Sequence, residues 1–87
     1  MAKYDPLFEF LCRAGDAPLS LTFDEVEQLV GRLPASATKF KQWWANESSG
    51  GRHVQATAWL NAGREVERVD LRGRVVRFSA AGWRRGS

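Results

Sequence analysis

Residues 36–46, SATKFKQWWAN, are the stretch on which the fold turns. At about 100° per residue the run places Ala37, Phe40, Trp43 and Trp44 on one arc and Thr38, Lys39, Gln42 and Asn46 on the other. The pattern predicts a helix over 36–46, with Ser36 as its cap, one face seated in a core and the other free to meet a partner. Phe40 and Trp44 are the expected deep anchors. Trp43, rotated by about 100° from its neighbour, is expected at the rim. The free side carries the side-chain types that hydrogen-bond to phosphates and base edges, with Lys41 lying close to the apolar arc.

Working back towards the N-terminus, Thr22-Phe23-Asp24-Glu25 has the form of a capping box, and Phe23, Val26, Leu29 and Val30 follow at helical spacing up to Gly31. A helix over about 23–30 is therefore expected, and Arg32-Leu33-Pro34 joins it tightly to the next. Two short helices with a short connection, the second carrying the polar outward face, have the layout of a helix-turn-helix. Earlier still, Asp5-Pro6 suits a helix start, with Asp5 as cap, and Leu7, Phe8, Phe10 and Leu11 give it an apolar face that ends near Gly15. Leu19 and Leu21 flank Ser20 in a short extended stretch able to pair with a later strand.

Working forward, Glu47 to Arg52 is a loop by composition, and a further helix is expected over about 54–62, closed by Gly63. His53 has no acid or nucleophile partner in the sequence and reads as a polar loop residue. The segment from Glu65 to Ala80 predicts a β-hairpin. With Gly73-Arg74 as a two-residue turn, Leu71 faces Val76, Val69 faces Phe78 and Asp70 faces Arg77. Arg72 and Arg74 then stand at the tip, as in the wing of a winged helix. Arg84 and Arg85 follow Trp83 in the tail.

The chain has 87 residues, 44% of them hydrophobic and 11% aromatic, which fits one folded domain over 1–87 with an ordered core at about 4–80. One cysteine and one histidine cannot form an internal disulfide or a four-ligand structural zinc site, so no cofactor is expected. The absence of a leader-like or membrane-spanning apolar run points to the cytoplasm. Charge is divided along the chain. Residues 1–31 hold two basic and six acidic side chains, whereas residues 32–87 hold eleven basic and four acidic ones. A basic second half is a hint of a polyanionic partner.

KYDPLFEFL at 3–11, LTFDEVEQLVG at 21–31, LPASA at 33–37, WWAN at 43–46, AWLNAG at 58–63 and VDL at 69–71 together resemble a small bacterial family of domains of unknown function. The resemblance runs from about residue 3 to 78. It implies a single natural domain and carries over no catalytic residue. Relatives of this type often place an aromatic residue after the AWL-x-AG motif, where this chain has Arg64.

The resulting expectation is an α+β, winged-helix-like helix-turn-helix with a C-terminal β-hairpin that binds double-stranded DNA, as a transcriptional regulator or nucleoid-associated protein and in homodimeric form. Thr38, Gln42 and Asn46 would lie near bases and Lys39 and Lys41 on phosphates. Arg72 and Arg74 would clamp the flanking backbone, with Arg52, Arg84 and Arg85 as secondary contacts. The alternative is a protein-interaction module, antitoxin-like or adaptor, using exposed Trp43, Trp83 and the 19–21 stretch. Enzymatic activity is not expected. No phosphate-cradling loop, nucleophile motif or metal-ligand cluster stands out, and Glu65 and Glu67 read as the solvent side of an edge strand.

Overall fold

The computed structural model describes residues 3–46 and 54–81. In chain order it contains α1 (Asp5–Arg13), β1 (Leu19–Thr22), α2 (Phe23–Val30), α3 (Ala35–Lys39), a 3-10 helix (Lys41–Trp44), α4 (Val54–Asn61), β2 (Val66–Asp70) and β3 (Val75–Phe78). The strands form one antiparallel sheet in the order β1-β3-β2. The fold is thus mixed α+β, and the extended stretch at 19–21 does pair with a later strand. No helix among the described residues is long and apolar enough to cross a membrane.

Helix α2 follows its local sequence. Thr22 Oγ1 accepts from the Glu25 amide at 3.0 Å, and the Thr22 amide donates to Glu25 Oε1 at 2.8 Å, so two otherwise free amides are satisfied at once. Gly31, at φ 87°, ends the helix where a side chain would be strained. Helix α1 begins one residue earlier than expected. Tyr4 occupies the cap position, with no side-chain cap hydrogen bond, and Asp5 lies in the first turn, where its charge favours the helix N-terminus.

The expected continuous helix over 36–46 is broken. Pro34, not Ser36, sits at the cap of α3, which is five residues long, and the backbone becomes extended at Phe40 (φ −129°, ψ 126°) before the 3-10 helix begins. The cause lies at Trp44. Its indole Nε1 donates to the Ala37 carbonyl at 2.9 Å, the acceptor that the Lys41 amide would use if the helix continued. The bond closes α3 and turns the Trp44 ring into the core, leaving Phe40 outside with 56% of its surface exposed. Trp44 is a deep anchor, as expected; Phe40 is not.

Once inside, Trp44 lies in a run of aromatic rings. It stacks on Phe23 at 5.1 Å between centroids and on Trp59 at 6.0 Å, and Trp59 meets Phe78 at 5.8 Å. Trp43 packs edge-on against Trp44 at 4.7 Å and touches Tyr4 at 6.1 Å from its half-buried rim position. This run joins α2, the 3-10 helix, α4 and β3, while Leu7 and Leu11 of α1 and Val26 and Val30 of α2 close the core around it. Such pairs contribute about 0.5–1.5 kcal/mol each beyond the area they bury.

The hairpin register differs from expectation by two residues. Val69 faces Val76, Asp70 faces Val75 and Arg68 faces Arg77, with a bulge between Val66 and Arg68. The connection spans residues 71–74, with Arg74 at φ 58°, and Asp70 Oδ1 accepts from the Gly73 amide at 2.9 Å. Asp70 therefore organises the turn instead of facing Arg77, which pairs with Glu67 at 3.0 Å. A shift of two keeps each side chain on its expected face, so the apolar face of the hairpin is preserved.

Candidate nucleic-acid interface

The 3-10 helix and β2 form the two sides of a groove of about 740 Å³, lined by Lys41, Trp44, Ala45, Asn46 and residues 66–72. Lys41 enters it from the helical side, Arg68 from the strand and Arg72 from the turn. All three are exposed, and none forms a hydrogen bond or ion pair with another described residue. Two carboxylates border the same groove. Glu67 is engaged by Arg77, and Asp70 holds the turn amide of Gly73. The groove thus brings together three cations, none ion-paired with a described residue, and two carboxylates, of which Asp70 keeps its charge while bonded to a neutral amide. Arg68 also borders a shallower hollow of about 280 Å³ on the outer face of the sheet, with Ser20, Asp70, Val75 and Arg77.

The other expected contact residues divide into three groups. Lys39 and Gln42 are exposed on either side of the break at Phe40. Thr38 is half-buried, and its hydroxyl donates back to the Ala35 carbonyl at 2.9 Å inside α3. Asn46 is committed to the fold. Its Oδ1 accepts from Trp59 Nε1 at 2.9 Å and from the Val66 amide at 2.8 Å, and its Nδ2 donates to the Val66 carbonyl at 3.0 Å. That side chain pairs with Val66 as a neighbouring strand would, so it positions β2 and does not face a partner.

The turn arginines part company. Arg72 lines the groove, whereas the Arg74 guanidinium lies 3.5 Å from Asp24 and 5.6 Å from the centre of the Phe23 ring. Arg52, Arg84 and Arg85, together with His53 and Trp83, lie outside the described residues. Of the patch considered for protein docking, Trp43 and Leu19 are half-buried, Ser20 is exposed and Leu21 is buried. Arg68 was absent from the expected set. Its position next to Val69, which the hairpin turns towards the core, was the signal for an outward side chain, and the bulge between Val66 and Arg68 lets Glu67 be exposed as well.

A second cavity, of about 540 Å³, lies between α1 and α4 and is lined by Lys3, Tyr4, Asp5, Phe8, Thr57, Ala58 and Asn61. Burial pushes the Tyr4 phenol above its ordinary range.

The sequence model of a family described as "Domain of unknown function (DUF7662)" matches residues 4–82. No curated protein and no solved structure matches the chain.

Proposed function

Since the chain belongs to this family, whose description assigns no activity, the function has to be argued from the site, and we propose that the protein binds DNA through the groove between the 3-10 helix and β2. The observation that carries this reading is the convergence of exposed Lys41, Arg68 and Arg72, none of them ion-paired with a described residue, on one groove. Side chains of this kind hold phosphates, and each phosphate neutralised releases counterions. A winged-helix-like arrangement is supported by the chain order, in which β1 falls between α1 and α2 and the β2–β3 hairpin follows the helices, with β3 central in the sheet.

The five-residue α3 is too short to read a run of bases, and Asn46 is occupied, so the proposed contacts are mainly to the backbone, from Lys39, Lys41, Arg68 and Arg72 with Gln42 beside them. The test is anisotropy of a labelled duplex at roughly 50 and 200 mM salt. Binding should weaken steeply between the two, and Lys41→Ala or Arg72→Ala should each lower the salt slope by about one. No binding at the lower salt would favour the second reading, apolar association with a protein. That reading is supported by the exposure of Phe40 (56%) and Phe10 (37%).

A further inference from the structure

We propose that the Phe40 ring is a stacking platform for an unstacked nucleobase, an inference that rests on the nucleic-acid reading and gives it a second kind of contact. Three observations converge on this residue. Its backbone is extended at the junction of α3 and the 3-10 helix, and more than half of its surface is exposed. The Trp44 indole, by closing α3 on Ala37, occupies the core in its place, so Phe40 is held out by a buried hydrogen bond and not by a loose loop. Its neighbours on both sides, Lys39 and Lys41, are exposed cations, followed by exposed Gln42, and Lys41 lines the groove with Arg68 and Arg72.

An aromatic face between phosphate-binding cations is the arrangement that holds a base against its own backbone. Every base offers a π-face, so the contact tolerates sequence. Charge complementarity separates Phe40 from the other exposed phenylalanine. Phe10 follows Glu9 on a helix that also carries Asp5, where a polyphosphate would be repelled. The base can come from a single strand or from a duplex step opened by the ring acting as a wedge.

The experiment measures binding of a single strand and of the matching duplex, each carrying a fluorescent base analogue, at two salt concentrations. The proteins are the full chain, Phe40→Leu, Phe40→Trp and Lys39→Ala. Phe40→Leu keeps an apolar side chain at an exposed position, so its thermal melt should match that of the parent protein. It should bind about ten- to a hundredfold more weakly and lose the quenching of the base analogue, with an unchanged salt slope, because no charge is removed. Phe40→Trp should restore both, while Lys39→Ala should lower the slope. A loss confined to the single strand identifies that source; a loss on the duplex identifies the wedge. If Phe40→Leu binds both forms as the parent does, the stacking inference is overturned while salt-dependent binding still stands. If the parent binds neither form, the nucleic-acid reading falls and this one with it.

Discussion

Arg64 is fully buried, and among the described residues its guanidinium meets no carboxylate. Its Nη1 donates to the carbonyls of Ala17 and Ser79 at 3.0 and 2.9 Å, and Nη2 donates to the carbonyl of Gly15, leaving only Nε without a partner. One side chain thus ties the exit of α1 to the end of β3, two segments that no regular backbone ladder connects. Arg64→Met would leave those carbonyls without donors, and an unfolding titration in urea should show a loss of at least about 3 kcal/mol. Arg64→Lys should recover only part of it, because an ammonium lacks the planar fork that reaches separate acceptors. Tyr4 makes a prediction in pH. Its phenol is raised above the ordinary value of 10.0 by burial, so the folded state holds that proton more tightly than the unfolded chain. The stabilisation is complete below the unfolded value and is lost as pH rises through the folded one. Tyr4→Phe should therefore flatten the decline in stability above about pH 10.

At the scale of elements, what local sequence decides is legible and what distant partners decide is not. Helix α2 could be read because its cap, acceptor and closing glycine all lie within ten residues. The break at Phe40 could not, since it depends on whether the Trp44 indole reaches Ala37 across a packed core. Trp44→Phe would keep a ring against Phe23 and Trp59 but remove that donor. A thermal or chemical melt should show a cost of about 1–3 kcal/mol. The hairpin register slipped by two because its apolar pattern has a period of two and is blind to such a shift, and the Asp70–Gly73 bond chose between them. That choice also shaped the site, since it put Arg68 opposite Arg77 and left Asp70 in the turn. Lys41 and Arg72 were readable from residue type and position, whereas the commitment of Asn46 to Trp59 and Val66 was not. From the turn geometry, Arg72→Ala should weaken duplex binding more than Arg74→Ala, whose guanidinium already faces Asp24 and Phe23; paired titrations of the two variants would check the order.

Across the whole molecule, burial is uneven. α1, α2, α3, α4, β1, β3 and the 3-10 helix each contribute at least one buried apolar side chain, but β2 contributes only the half-buried Val66 and Val69 and lies at an edge of the sheet. Amide hydrogen exchange should therefore be faster along β2 than along β3, which is paired on both sides; equal protection would contradict the burial pattern. The strand that lines the groove is also the one with the least core behind it, so that side of the groove is the less firmly held. The segment opposite is held differently. The Trp44 indole has to reach the Ala37 carbonyl, which constrains the number of residues between them, while Lys39, Phe40, Lys41 and Gln42 all lie on the outside and take no part in that bond. An insertion or deletion between them should therefore cost the fold more than a change of side chain at residues 39–42: the indole sets the length of the segment and leaves its outward side chains free of that duty.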